Sequence, residues 1–249
     1  TVDEIKEFVG NGFGVGSAFI FQAVVMLVFN TMLLKGNSGN GTFSVAVFSV
    51  IYTMSTIPGA MYDGAGTAAS TVISILGGEK DWKGMLAVYR DGLRIVVAAG
   101  ILIAICFAFG AEGILAFFGL NDSEAMGTAV TAFRIYAVSV ALAGVNVVTT
   151  SFWQTIGKTR YASGLSLLRN FVLMLVFGFW LIDKKGIVGL ALVYAISEAV
   201  CLLTVLLAQV FGNIRKYIEE KYKFTNDMYF CIFYFFCNLA DVCYFLCKT

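Results

Sequence analysis

Long apolar runs separated by short charged or Gly/Asn-rich loops are the feature that most limits how this chain can fold. The clearest run extends from Phe8 to Leu34 and contains no charged side chain. As a helix rising about 1.5 Å per residue it reaches roughly 40 Å, more than the roughly 30 Å hydrocarbon core of a bilayer. The runs are too evenly apolar for membrane barrel strands, which alternate over about ten residues. The sequence therefore predicts an all-α, polytopic membrane protein, because a helix satisfies its own backbone hydrogen bonds in lipid.

The composition agrees with a chain embedded in lipid and argues against an enzyme. Hydrophobic residues make up 59% of the chain and charged residues 13%, whereas soluble domains have about a quarter charged residues. No histidine occurs among the 249 residues, so His-based metal sites and Ser-His triads are excluded. The formal net charge of +1 gives no argument for a nucleic-acid partner, and none is expected.

Six membrane spans follow from the apolar runs. We expect them at residues 8–34, 43–76, 93–118, 128–156, 161–182 and 187–212. In the second span, Pro58-Gly59 predicts a kink, because proline removes a backbone hydrogen bond. The connection Gly77–Gly92 mixes charged and aromatic residues and is expected to form a short amphipathic helix at the interface. Short loops make neighbouring helices antiparallel, so residues 1–214 are expected to form one six-helix lobe.

Basic residues are unevenly divided between the two ends of these spans. One side collects eleven of them, namely Lys6, Lys80, Lys83, Arg90, Arg94, Lys158, Arg160, Arg215, Lys216, Lys221 and Lys223. The opposite side has Lys35, Lys184 and Lys185, with Arg134 just inside the span that follows. Because basic loops face the cytoplasm, both ends of the six-helix unit are expected inside the cell, in a multi-pass protein of the plasma membrane.

The two ends of the chain carry separate predictions. The sequence begins Thr1-Val2 without a methionine, and we interpret it as part of a longer polypeptide whose missing part lies upstream. Residues 215–249 are expected to be a cytoplasmic charged segment followed by a Cys- and aromatic-rich tail. The tail cysteines lack CxxC pairing, so a zinc site is not expected there. Two interpretations of the tail stay open, an interfacial segment or a non-native one produced by a reading-frame error.

Three stretches of the sequence carry a family resemblance. Asn30–Glu79 has an asparagine at a helix end, a Gly-rich loop, a Pro-Gly break and a small-residue-rich helix end. Phe133–Arg169 contains an apolar helix, the turn FWQTIGKTR at 152–160 and the start of another helix. Ile187–Val200 is an apolar helix with an embedded glutamate. In that order the stretches resemble helices seven and eight, ten and eleven, and twelve of the MATE (multidrug and toxic compound extrusion) family.

The resemblance covers about residues 10–212 and implies the carboxy-terminal lobe of a twelve-helix antiporter, whose two lobes rock about a central cavity. The implied partners are the lipid bilayer, a small cationic or amphipathic organic substrate, and the missing amino-terminal lobe of the same chain. No cofactor is implied beyond a coupling ion, H⁺ or Na⁺. Some members carry an acidic cation ligand in the first helix of this lobe, whereas Phe8–Leu34 contains no carboxylate. The coupling ion is therefore left open.

Ionisable side chains inside the spans are the first candidates for a substrate or ion site, because each costs roughly 2.5–3.5 kcal/mol at mid-membrane. Asp63, beside the Pro-Gly break, is expected to face the cavity and bind a cation, or else to hydrogen-bond freed backbone. Glu198 lies near the middle of the last span and is expected either to exchange ions or to join helices. Arg134 and Arg169 are assigned structural roles, either snorkelling or pairing with a carboxylate such as Glu198.

Uncharged polar and aromatic residues complete the predicted site. Asparagine and glutamine side chains can donate and accept hydrogen bonds in a cavity wall, or they can bridge helices. A tyrosine offers a π face to an organic cation, or fills the bundle. The predicted substrate- and ion-binding residues are Asp63, Glu198, Asn30, Asn146, Gln154 and Tyr52.

The function that these features favour is secondary active transport. The expected protein is an antiporter that exports amphipathic or cationic organic compounds coupled to proton or sodium entry. The alternative is a lipid-linked oligosaccharide flippase of the same superfamily, which is disfavoured because only two embedded arginines are present to hold a pyrophosphate. An intramembrane enzyme is not expected, because the carboxylates are isolated and no histidine is present.

Overall fold

The computed structural model describes residues 20–35, 41–120 and 125–211, and these residues are helical with short turns and contain no strand. The predicted tail at 215–249 and the start of the first expected span lie outside the described residues. The elements in chain order are α1 (Ile20–Lys35), α2 (Gly41–Gly78), α3 (Trp82–Phe117), α4 (Met126–Thr155), α5 (Thr159–Leu167), a π-helical turn (Leu168–Val172) and α6 (Leu173–Phe211).

Four helical stretches in the described residues are long and apolar enough to cross a membrane. They are α2, α3, α4 and the continuous stretch Thr159–Leu207, which joins α5, the π-helical turn and most of α6. The described part of α1, from Ile20 to Lys35, is apolar but shorter. An all-helical, multi-pass membrane protein is thereby confirmed, whereas the expected count of six crossings is not shown by length and composition.

Helix α6 turns back on itself at Gly186. This glycine has φ 56° and ψ −129°, in a positive-φ region that side chains with a Cβ rarely adopt. A Cβ placed on Gly189 would meet the carbonyl of Leu181, although eight residues along a straight helix span about 12 Å. Helix α6 therefore consists of two antiparallel arms, which we call the first arm (173–185) and the second arm (187–211).

Helix α1 runs parallel to the first arm. The rings of Phe21 and Phe171 have centroids 4.6 Å apart, and a Cβ on Gly178 would lie within 2.5 Å of the Phe29 ring. From the first contact to the second, the chain advances eight residues on α1, from Phe21 to Phe29, and seven residues on the other helix, from Phe171 to Gly178. The two helices therefore run in the same direction. The end of α1 at Lys35 and the turn at Gly186 therefore lie at the same end of the bundle.

Helix α4 is the centre of the bundle and contacts α2, α3 and α6. Small residues let the neighbouring helices approach it closely, as is usual for helix packing in membranes. Tyr62 of α2 fits between Gly100 of α3 and Gly144 of α4, because a Cβ on either glycine would meet the tyrosine within 3 Å. Tyr62, at this contact of α2, α3 and α4, is only 2% exposed.

Helix α3 differs from the sequence prediction. We expected a separate interfacial helix within Gly77–Gly92 and a span beginning at 93, but one helix runs from Trp82 to Phe117. Its N-terminus is capped by Asp81, whose side chain accepts a hydrogen bond from the backbone N–H of Gly84 at 3.0 Å. The expected interfacial helix is therefore the first part of α3, and Gly92 inside it packs against α4, with Val148 Cγ1 at 3.7 Å from a built Cβ.

Candidate functional site

Glu198 and Asn146 form the centre of a buried polar cluster. Glu198 lies on the second arm of α6 and is 4% exposed, and Asn146 on α4 is fully buried. The Asn146 side-chain amide donates to the Glu198 carboxylate at 2.7 Å and to the Glu198 backbone carbonyl at 3.0 Å. One asparagine therefore binds both the charged group and the backbone of its partner helix, which fixes α4 against the second arm.

Arg169 neutralises the Glu198 carboxylate. Its Nε donates to the carboxylate oxygen that Asn146 leaves free, at 2.7 Å, and the two side chains are 19% and 6% exposed. Arg169 lies in the π-helical turn, an element that is frequent at functional sites because it redirects a side chain out of the regular helical register. The ion pair joins the π-helical turn to the second arm of α6, and we call Arg169, Glu198 and Asn146 the polar triad.

Two buried polar atoms, one in the triad and one on the residue before Glu198, have no hydrogen-bond partner among the residues that the structure describes. They are the Asn146 side-chain oxygen and the Ser197 hydroxyl, both on residues with no exposed surface. An unpaired buried polar group costs about 1–3 kcal/mol. These atoms can receive a water molecule or a polar group of a ligand, so the cluster has hydrogen-bonding capacity beyond what its own residues use.

Tyrosines on α2, on α4 and on the second arm of α6 lie near Glu198. The Tyr62 hydroxyl donates to the Val140 carbonyl at 2.8 Å, and the rings of Tyr136 and Tyr194 meet edge to face with centroids 5.6 Å apart. Tyr194 lies near Glu198 and near half-buried Tyr52. Aromatic faces therefore lie beside the buried charges, an arrangement that suits an organic cation.

Asp63 lies at the exposed edge of this cluster. It follows the buried Tyr62 in α2, is itself exposed, and lies close enough to interact electrostatically with Arg169. Counted at their formal charges, Arg169 and Glu198 cancel, and Asp63 leaves a formal charge of −1. The edge of the cluster is therefore acidic.

The sequence model of the family named MatE matches residues 16–180 of this chain. The chain belongs to the MatE family. This membership confirms the MATE resemblance that the sequence predicted.

Relatives of known name agree with this assignment. The chain is 24% identical over 204 residues to the "Multidrug export protein MepA" of Staphylococcus saprophyticus, covering 81% of this chain and 44% of that protein. Two solved structures of a multidrug resistance MATE family transporter of the MOP superfamily, one outward-facing and one inward-facing, superpose with TM-scores of 0.73 and 0.74 at 17% identity. They cover 89% of this chain and 48% and 50% of theirs. The chain therefore spans about half the length of the MATE proteins it matches, and the likeness of the structures establishes the fold.

The predicted site residues fall into two groups in the structure of this MATE family chain. Asp63, Glu198, Asn146 and Tyr52 lie in or beside the cluster. Gln154 is exposed near the end of α4, eight residues and so about 12 Å along the helix from Asn146. Asn30 lies on α1 next to Phe29, which contacts the first arm at Gly178, nine residues beyond the position of Arg169. Neither residue belongs to the triad.

Sequence reasoning missed Tyr136, Tyr194 and Ser197, and it treated Arg134 and Arg169 alike. The structure separates the two arginines, because Arg134 is exposed and donates from Nε to the Ala108 carbonyl at 3.2 Å. One signal for Tyr194 was available, since it precedes Glu198 by four residues and so lies on the same helix face.

Replacing Tyr62 by phenylalanine is expected to lower the free energy of unfolding of this MATE protein by about 0.5–1.5 kcal/mol, because the Val140 carbonyl loses its hydrogen bond. Thermal unfolding of the complete protein in mild detergent measures the effect. The matched control is Tyr161→Phe, whose parent side chain is 47% exposed, and which should leave the unfolding midpoint unchanged. Equal midpoints for both variants would contradict the role given to the Tyr62 hydroxyl.

Proposed function

We propose that this chain is the carboxy-terminal lobe of a secondary antiporter that exports amphipathic or cationic organic compounds coupled to proton or sodium entry. The observation that carries the proposal is the buried polar triad beside the exposed carboxylate of Asp63, inside a lobe of the MATE fold. Charged groups are rare within membrane spans and mark ion or substrate pathways.

The lobe has six crossings in this proposal. They are α1 together with the apolar residues before it, α2, α3, α4, the stretch from α5 to the end of the first arm, and the second arm. The parallel contact of α1 with the first arm supports this count, since the first and fifth of six antiparallel crossings run in the same direction. We place both ends of the unit on the cytoplasmic side of the plasma membrane, following the bias of the basic residues.

The charges of the cluster favour a cationic substrate. Glu198 is held by an arginine and an amide, while Asp63 is exposed at the edge of the cluster. An organic cation that reaches Asp63 compensates the net charge of −1, and the neighbouring tyrosine faces add cation–π attraction. A pyrophosphate would meet the same negative charge and be repelled, so the flippase alternative is disfavoured.

We attribute the coupling of export to ion entry to competition between the organic cation and a proton or sodium ion for the same carboxylates. A proton or sodium ion that reaches the cluster neutralises a carboxylate and weakens its hold on an organic cation. Rocking of this lobe against the amino-terminal lobe then exposes the cluster to alternate sides of the membrane. The chemistry consists of binding, release and charge exchange, without a covalent step.

Replacing Asp63 by asparagine in the complete protein is expected to reduce ethidium efflux from cells at least about tenfold, because the cation loses its carboxylate partner at a cost of about 1.4 kcal/mol or more. Initial efflux rates at matched protein levels in the membrane measure the effect.

The matched control is Asp91→Asn in α3, where the carboxylate is exposed and pairs with Arg94 at 2.8 Å. Its efflux rate should equal that of the wild type. Wild-type efflux by Asp63→Asn would remove Asp63 from the site, and tighter binding of a lipid pyrophosphate than of cationic dyes would favour the flippase.

A further inference from the structure

A groove of about 490 Å³ lies between α1 and the first arm of α6, away from the polar triad. Its volume falls within the range of small-ligand pockets. The side chains along it are mostly apolar, and the Thr31 hydroxyl already donates to the Leu27 carbonyl at 2.8 Å. The lining residues used below are Leu27, Val28, Thr31, Lys35, Phe179 and Asp183.

The groove has a charged end and an apolar end. Because α1 and the first arm are parallel, Lys35 and Asp183 lie at the same end of the bundle, beside the turn at Gly186. Leu27 precedes Lys35 by eight residues, so the apolar end lies about 12 Å farther along the helix axis. The groove therefore leads from two opposite charges down an apolar wall.

An aromatic anchor places the charged end at the surface of the bilayer. Trp180 is 58% exposed, and the Lys184 ammonium lies over its ring at 4.9 Å from the centroid. Tryptophan concentrates at the level of the lipid headgroups, and lysine extends its charge towards water from there. The apolar end of the groove then lies at the depth of the acyl chains.

We propose that this groove is a binding site for one phospholipid whose headgroup carries a phosphate and a primary ammonium. The phosphate binds Lys35, the ammonium donates to Asp183, and an acyl chain lies along Leu27, Val28 and Phe179. Charge complementarity selects this class of lipid. A lipid with only a negative headgroup meets Asp183 as a repulsive partner, and a quaternary ammonium has no N–H to donate to the carboxylate.

The charged end also argues against protein as the occupant. Within the residues that the structure describes, Lys35 and Asp183 form no ion pair, and both are exposed. Covering two unpaired charges with the missing lobe would cost several kcal/mol per ion unless each found a partner. A zwitterionic headgroup supplies both partners in one molecule and stays in contact with water.

Native mass spectrometry of the complete protein tests the proposal. The protein is exchanged into mixed micelles that contain equal amounts of phosphatidylethanolamine, phosphatidylcholine and phosphatidylglycerol. We expect one retained phosphatidylethanolamine, preferred at least about fivefold over the other two lipids. Asp183→Asn should reduce the preference over phosphatidylcholine, because the ammonium then donates to a neutral amide oxygen, which is a weaker acceptor than a carboxylate. Lys35→Ala should reduce retention of all three lipids, because each of them binds through its phosphate.

Two further variants complete the experiment. Thr31→Trp fills the groove from an exposed position without changing its charges, and it should release the lipid while leaving the unfolding midpoint unchanged. Lys184→Ala removes a charge from the same turn but outside the groove lining, and it should retain the lipid as the wild type does. Lipid retention that is absent in the wild type, or unchanged in Asp183→Asn and Thr31→Trp, would overturn the site.

Discussion

Replacing Arg169 by methionine is expected to lower the free energy of unfolding by about 3–5 kcal/mol, because it leaves the Glu198 carboxylate buried without its cation. Asn146 continues to donate one hydrogen bond to that carboxylate, which does not supply a compensating charge. The measurement is thermal or denaturant-induced unfolding of the complete protein in mild detergent. This is the largest electrostatic effect that we expect from a single substitution in the described residues.

A double variant separates stability from transport. Arg169→Met combined with Glu198→Met removes both charges, and such apolar replacements of buried ion pairs are often neutral or stabilising. Asn146 then keeps its bond to the backbone carbonyl of residue 198. The double variant should recover most of the stability but not ethidium efflux. Arg134→Met is the matched control, with a loss of about 1 kcal/mol or less. A similar small loss for Arg169→Met would show that the ion pair contributes little.

Replacing Gly189 by alanine is expected to cost about 3 kcal/mol or more, because its Cβ would overlap the Leu181 carbonyl. The Leu181 carbonyl belongs to the backbone, and an alanine Cβ has no torsion that could move it away, so no side-chain rotation relieves the overlap. Overpacking of this kind forces the helices apart. The yield of monodisperse protein and its unfolding midpoint measure the effect.

Gly113→Ala is the matched control for this substitution. Gly113 lies in α3 and no atom would approach a Cβ there within 4 Å, so its replacement should leave stability unchanged or raise it by up to about 1 kcal/mol. If α6 were one straight helix, Gly189→Ala would behave like Gly113→Ala. The comparison therefore tests the antiparallel arrangement of the two arms directly.

Part of the candidate site was predictable from residue type and depth alone. Asp63 and Glu198 were identified because a carboxylate in an apolar run requires a partner, and both lie in the cluster. Asn146 was one of several neutral polar residues that no sequence argument could rank. Its bonds to Glu198 depend on a contact between helices that are 52 residues apart in the chain.

The α3 boundary and the two arginines show why other features were beyond sequence reasoning. A charged, Gly-containing segment is typical of a connection, but the Asp81 cap and the contact of Gly92 with α4 let the helix continue. Arg134 and Arg169 lie at similar distances from helix ends, so the sequence does not distinguish them. Only the π-helical turn and the antiparallel arms bring Arg169 to Glu198.

The sequence by itself determined that this protein lies in a lipid bilayer, that it is helical, and to which family it belongs. Apolar runs of this length can satisfy their backbone in lipid only as helices, and this requirement is local to each run. The tertiary structure decided which polar side chains meet, because their pairing depends on helix rotation, on the reversal at Gly186 and on close contacts at small residues. Helix rotation, chain reversal and close contacts are properties of two helices packed together, and the pattern of hydrophobic residues along one helix does not predict them.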